Sequence, residues 1–361
     1  MPSNNFSDIK ISGSVTVVPK VKRSIEEDIE LYGGNYKQVE RLKRTLGFNQ
    51  RRIAPREVTA LDLCESASQS LFKKLDLSPI DINGIIFITQ TPDHSQPSNA
   101  SLMHGRLGFS KQCAAFDVGL GCSGFVYGLW LAFSLIANGS SSKILLLAGD
   151  TLSRLVNPKD RSLAPLFGDA GSATLIEKEQ GGRTSWFRLG SDGTGASDLI
   201  VPAGGSRNPI SKKTEEEFTD NEGNVRSLQN LFMNGSEVFN FSIEVVPREI
   251  QELLKYAKCE KSDVDYFVLH QANRYMVQNI GKRLGCDLKR FPIASFGVFG
   301  NISSASIPGA MAFELGKNFS TKAKKRLVLS GFGVGLSWGS CLVDLSEIRC
   351  LEYVEYNPIN T

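Results

Sequence analysis

Residues 113 to 137 read CAAFDVGLGCSGFVYGLWLAFSLIA: an apolar strand, a glycine-rich turn and an apolar helix in succession. The run Cys113 to Val118 is predicted to be a buried strand, and Phe125 to Ala137 a buried helix that stops at Asn138-Gly139. Cys122 therefore falls at a helix N-terminus. There, unpaired backbone N–H groups and the positive end of the helix dipole would favour a thiolate and lower the thiol pKa. The same segment, Gly119 to Gly124, also fits the dinucleotide-binding pattern G-x-G-x-x-G, with Asp150 at the end of the next apolar run as the ribose-binding acid. Taken alone, the segment leaves three readings open: a reactive thiol, a nucleotide loop and a structural cysteine.

Working outward, short apolar runs alternate with helical stretches at Gly84 to Thr91, Lys143 to Gly149, Ser172 to Glu177, Tyr266 to His270, Arg326 to Gly331 and Ser340 to Leu345. This is an α/β pattern. Two of its runs recur. Ile85 to Gln90 resembles Tyr266 to Gln271, and Gly171 to Leu175 resembles Gly339 to Val343, so an internal duplication is expected. The halves divide as 1–185, carrying Cys122, and 186–361. Between the echoing runs, residues 204–230 are polar and charged and read as an exposed excursion or lid, while Thr151 to Arg161 reads as an entrance loop.

Composition excludes several classes. With 361 residues, 41% of them hydrophobic, the chain can bury a large core, and 41 basic against 38 acidic residues give a formal charge of +3, too small to argue for a nucleic-acid partner. Its seven cysteines lack CxxC pairs, so neither a disulfide framework nor a metal site is expected. No charged-then-apolar leader opens the sequence, and the longest apolar run, Phe125 to Ala137, is too short to span a bilayer; no membrane insertion and a cytoplasmic location are expected.

Three histidines are present. His94 and His104 sit in polar or mixed surroundings and read as surface residues. His270 ends an apolar strand and precedes Gln271-Ala272-Asn273, which opens the helix running to Leu284; the carboxyl end of a strand is where ligands meet an α/β sheet. Further on, Asn301 stands between a tight turn and a small-residue helix start in Gly300-Asn301-Ile302-Ser303-Ser304-Ala305-Ser306-Ile307-Pro308, and by itself reads as a turn or cap residue. The glycine-rich run Gly331 to Ser340 exposes backbone N–H groups and reads as an oxyanion donor or a hairpin.

Together, Gly121 to Phe125, His270 to Asn273, Gly300 to Pro308 and Gly331 to Ser340 resemble the motifs of the β-ketoacyl-acyl-carrier-protein synthase III family of thiolase-like condensing enzymes, in the same order and over nearly the whole chain. The resemblance implies an α/β, thiolase-like duplicated αβαβα five-layer fold, a homodimer and decarboxylative Claisen condensation. It implies Cys122 as acyl-carrying nucleophile and His270 and Asn301 as donors to the enolate of a malonyl thioester. It also implies an oxyanion hole from the N–H groups of Cys122 and Gly335, and a contact from Asn273 to substrate. No tightly bound cofactor is implied; acyl-CoA or acyl carrier protein thioesters are the substrates.

The sequence departs from the family pattern at several places. Arg41 and Thr45 fall where the family holds adenine, although Arg161 remains at a coenzyme A position. Gln96 falls at the usually apolar pocket floor, a position donated across the dimer. Lys282 and Arg283, with Arg274 nearby, match part of the carrier-protein patch, but Asn240 and Tyr275 replace two of its basic residues. Among rivals, a nucleotide-dependent oxidoreductase leaves His270 and Asn301 without a role, and a papain-like hydrolase lacks its signature around the cysteine. Acyl transfer to an oxygen or nitrogen acceptor on the same fold stays open.

Overall fold

The structure, a computed structural model, describes residues 3–47, 49–318 and 325–358. Its two main sheets are built from β1 (Ser3–Phe6), β2 (Ile9–Val18), β3 (Gly84–Ile88), β4 (Ala114–Val118), β5 (Lys143–Asp150), β6 (Ala170–Lys178), β7 (Ser185–Ser191), β8 (Tyr266–Leu269), β9 (Arg326–Gly333), β10 (Ser337–Asp344) and β11 (Cys350–Glu355). The principal helices are α1 (Tyr36–Leu46), α2 (Ala60–Leu75), α3 (Asn99–Leu107), α4 (Gly124–Ala137), α5 (Gly235–Tyr256), α6 (Arg274–Leu284) and α7 (Ser306–Ala310).

The first sheet has the order β11-β2-β6-β5-β3-β4 and the second β1-β7-β10-β9-β8. Their shared topology makes the duplication visible. In the first, β3 and β5 are parallel, then β6 and β2 follow antiparallel. In the second, β8 and β9 are parallel, then β10 and β7 follow antiparallel. The recurring runs at Ile85 and Tyr266 thus form matching strands, as do those at Gly171 and Gly339.

Continuous apolar strands imply cover on both faces, and strand alternation shows what covers them. Ile86 and Ile88 of β3 face inward onto Phe125, Leu129 and Phe133 of α4 and onto Ile307 and Ala310 of α7, together with Val268 and Leu329 of the second sheet. Ile85 and Phe87 face outward onto Leu61, Leu71 and Met103 of α2 and α3. On the far side, Phe267 and Leu269 pack against Val246, Ile250, Val277 and Ile280 of α5 and α6. Helix, sheet, helix, sheet and helix make five layers. α4 is apolar around its whole circumference because it lies between two sheets.

One expectation needs correction, and another gains detail. Cys113 to Val118 was expected as a buried strand, but Ala114–Val118 is an edge, paired on one side only with β3, and its residues range from half-buried to exposed. An apolar run does not distinguish a central strand from an edge. The excursion at 204–230 is largely exposed yet firmly anchored: Arg226, 5% exposed, pairs with the buried Asp160 and with Asp220 at 3.0 Å, and Lys159 meets Glu217 at 2.7 Å. Removing one member of a buried ion pair typically costs about 3–5 kcal/mol. Arg226→Ala should therefore lower stability by that order and expose 204–230 to proteases, read by denaturant unfolding and limited proteolysis; an unchanged unfolding midpoint contradicts the anchoring.

Candidate active site

Each site residue stands at the end of a regular element. Cys122 sits in the turn between β4 and α4, where the Gly124 N–H closes on the Gly121 carbonyl at 2.8 Å. His270 follows β8, its N–H held by the Ser330 carbonyl of β9 at 2.8 Å. Asn301 sits on a turn fastened to 166–168: its N–H donates to the Leu166 carbonyl at 2.8 Å, and the Gly168 N–H donates to the Asn301 carbonyl at 3.1 Å. The Asn301 side-chain oxygen accepts from the Ser303 N–H at 3.0 Å, leaving the amide NH₂ as its free donor. All three side chains line one cavity of about 620 Å³, whose other walls include Gln90, Leu152, Leu155, Phe167, Leu231, Met233, Phe332 and Val334.

Burial governs the electrostatics. It pushes the Cys122 thiol up to about 12, with the nearby Asp150 carboxylate acting in the same sense, against the opposing influence of the Val334 and Cys122 backbone. The helix N-terminus was expected to lower this thiol; desolvation outweighs it. Burial also pulls the His270 imidazole down to about 3, so the ring is neutral in the physiological range. Its Nδ1 lies 2.6 Å from Ser306 Oγ, and its ring stands edge-on to Phe332 at 5.6 Å.

Asp150 is a further correction. It is fully buried rather than placed to bind a ribose. One carboxylate oxygen accepts from the Gln90 N–H at 2.7 Å and the Thr89 hydroxyl at 3.3 Å; the other accepts from the Ser304 N–H at 3.2 Å and its hydroxyl at 2.7 Å. The acid joins the β3 and β5 ends to the turn that carries Asn301.

The chain was compared with known proteins. Residues 116–193 match 3-Oxoacyl-[acyl-carrier-protein (ACP)] synthase III and residues 254–345 match its C-terminal part. A beta-ketoacyl-[acyl-carrier-protein] synthase III of Clostridioides difficile is 37% identical over 300 residues, covering 82% of this chain and 87% of its own. The chain belongs to the synthase III family. A crystal structure of a 3-oxoacyl-(acyl-carrier protein) synthase from Burkholderia xenovorans superposes with a TM-score of 0.91 at 34% identity, covering 98% of this chain and 99% of that one. A second, titled 3-oxoacyl-(acyl-carrier-protein) synthase III, gives 0.87 at 38% identity, with 93% and 99% covered.

Against the synthase III pattern, the peripheral residues divide. Asn273 lines the cavity and caps α6, its side chain accepting from the Met276 N–H at 2.8 Å. Gly335 does not line it; Val334 does, and the Val334 backbone faces the Cys122 sulfur, so the turn of the β9–β10 hairpin presents Val334 instead. Arg41 and Thr45 are exposed on α1, around a surface hollow that shares Leu46 with the main cavity. Arg161 borders a separate hollow with Tyr32, Glu222 and Asn224, which brings the excursion to the entrance. Gln96 is exposed and absent from the cavity of its own chain, whereas Gln90, six residues earlier, lines it.

Lys282 and Arg283 are exposed on α6, but Arg274 packs over Gly47 and bonds its carbonyl at 3.4 Å. Arg274 therefore closes the C-terminal end of α1 and is only half-exposed. In place of a basic residue, Tyr275 stacks on Phe239 at 5.5 Å. His94 is exposed; His104, expected on the surface, is half-buried with Nε2 2.9 Å from the Ser110 carbonyl. Sequence reading missed Gln90, Val334 and Ser306, although Ser306 lies within the quoted Gly300 to Pro308 motif.

Gly333, at φ +152, brings the hairpin against Cys122: a Cβ there would lie 2.8 Å from Cys122 Cβ and 3.0 Å from Sγ. Gly333→Ala should slow covalent labelling of Cys122 by about 10²-fold, a cost typical of misplacing a reacting group. In the wild type, a thiol raised toward 12 should react with iodoacetamide ever faster as pH rises from 7 to 10. A plateau at neutral pH would contradict the raised value.

Proposed function

We propose that the chain is a condensing acyltransferase that joins an acyl group carried on Cys122 to the carbon of a malonyl thioester, with loss of carbon dioxide. The observation that carries this reading is the meeting of Cys122, His270 and Asn301 in one largely apolar cavity. In the first half-reaction the Cys122 sulfur attacks the donor thioester carbonyl, its proton passes to the departing thiolate, and the acyl group is left on sulfur. Backbone N–H groups of Cys122 and Val334 stabilise the oxyanion.

In the second half-reaction the malonyl C–C bond breaks, carbon dioxide leaves, and the electron pair moves onto the thioester oxygen as an enolate. A neutral imidazole N–H at His270 and the amide NH₂ of Asn301 bind that oxygen without holding a competing charge. The enolate carbon then attacks the acyl carbonyl, the C–S bond breaks, and Cys122 regains a proton. The 3-oxoacyl thioester departs. A place in fatty acid biosynthesis or a related pathway follows from the product's chemistry. Acyl transfer to an oxygen or nitrogen acceptor needs a base for the acceptor, which a histidine held neutral could supply; Asn301 favours the enolate instead.

The apolar walls at Leu152, Leu155, Phe167 and Leu231 suit an alkyl primer. Lys282 and Arg283 remain the cations offered to an acidic carrier protein, with the exposed Tyr275 beside them. The departures at Arg41 and Thr45 favour a carrier-bound donor over free acyl-CoA. We place the enzyme in the cytoplasm as a homodimer. The half-exposed apolar edge β4 supports the dimer, since an unpaired edge strand is a template for pairing. No helix among the described residues is long and apolar enough to cross a membrane.

Intact-mass analysis after exposure to acyl-CoA and acyl-carrier thioesters should find one acyl group on the wild type and none on Cys122→Ala. His270→Ala and Asn301→Ala should still load but lose malonyl decarboxylation by about 10²-fold or more, the size expected for removing a donor aimed at developing charge. Undiminished decarboxylation in both variants would favour the oxygen or nitrogen acceptor. Because burial holds the His270 pKa near 3, its folded value lies below the ordinary 6.5. Decarboxylation should therefore stay level as pH falls from 8 through 6.5; a half-maximal loss at pH 6.5 would show a solvated histidine instead.

A further inference from the structure

Ser306 opens α7, 1% exposed, and His270 is 2% exposed. Among the described residues, His270 Nδ1 is the one hydrogen-bond partner of the Ser306 hydroxyl, at 2.6 Å. A hydroxyl carries one proton. Buried against a ring nitrogen with no other acceptor in reach, it donates there, because an O–H turned away would be left unsatisfied at a cost comparable to a lost hydrogen bond. Nδ1 must then hold its lone pair, and a neutral imidazole must keep its proton on Nε2.

We propose that Ser306 is the positioning residue that fixes His270 as the Nε2–H tautomer, so that the imidazole presents a donor to the cavity and not a proton acceptor for the Cys122 thiol. The surroundings agree. Phe332 meets the ring edge-on and fixes its plane without a polar contact. The backbone N–H of His270 donates to the Ser330 carbonyl, which fixes where the side chain leaves the end of β8. The division of labour follows: the thiol loses its proton to the departing thiolate, and His270 serves only the step in which negative charge grows on oxygen. Without the hydroxyl, Nδ1 accepts no bond and both tautomers become available. A fraction of molecules would then aim a lone pair at the enolate, which repels it.

Nitrogen-15 NMR of protein labelled at histidine tests this directly, since the chain has three histidines and the His270 signals are those missing from His270→Asn. At pH 7 the wild type should show an unprotonated Nδ1 and a protonated Nε2 at His270. Ser306→Ala should shift both toward tautomer averaging, lower malonyl decarboxylation roughly tenfold, and leave the rate of acyl loading on Cys122 within about twofold. A wild-type spectrum with the proton on Nδ1 overturns the proposal without reference to any variant. Equal losses in both half-reactions of a folded Ser306→Ala would also overturn it, in favour of a packing role. The kinetic readout rests on the condensing function proposed above whereas the NMR readout does not, so failure of the two ideas is distinguishable.

Discussion

One buried carboxylate holds the reacting groups in common register. Asp150 stands at the carboxyl end of β5 with four donors around it, two from the β3 end and two from Ser304. Among the described residues no cation pairs with it. Burial raises its pKa while those bonds lower it, which is how an isolated buried carboxylate becomes tolerable. The arrangement has a geometric result. The first sheet carries the turn to Cys122, the Ser304 turn carries Asn301, and Gln90 leans over Gly121 so closely that a Cβ there would meet its Oε1 at 2.0 Å. Loss of one hydrogen bond would therefore loosen two catalytic elements together.

Burial leaves the two titratable side chains Cys122 and His270 uncharged in the cavity. A thiol raised toward 12 and an imidazole lowered toward 3 are both neutral at pH 7, so neither becomes an ion that must be kept dry. In the proposed condensation negative charge develops on substrate oxygens and not on the protein, and in a low-dielectric pocket N–H donors act more strongly than in water. The thiol is thus made reactive by its target and leaving group more than by its own acidity.

The layered fold was legible because its strands are covered on both faces: Ile85 to Ile88 and Tyr266 to Leu269 read as continuous apolar runs, and α4 is apolar all round. Cys122, His270 and Asn301 were picked out by the resemblance of four motifs taken together, and the structure brings all three to one cavity. Other features were not. The sign of the Cys122 shift depends on how deeply the hairpin covers it, a tertiary property that no local pattern near residue 122 carries. The resemblance implied Gly335 as an oxyanion donor, yet the backbone that faces the sulfur belongs to whichever residue the hairpin register places there, which is Val334. Arg274 looked like part of a basic face until Gly47, 227 positions earlier, was seen beneath it.

The two sheets also borrow strands from one another's stretch of chain: β1 lies beside β7 in the second sheet, and β11 lies beside β2 in the first. On the ribosome, where chains emerge from the N-terminus and early segments fold first, this sets an order of events. The Cys122-bearing sheet can assemble β2 through β6 early, but its β2 edge stays open until residues 350–355 have been made. The two halves therefore mature together, and Cys122 meets His270 and Asn301 in a settled frame only after residues 350–355 have been made.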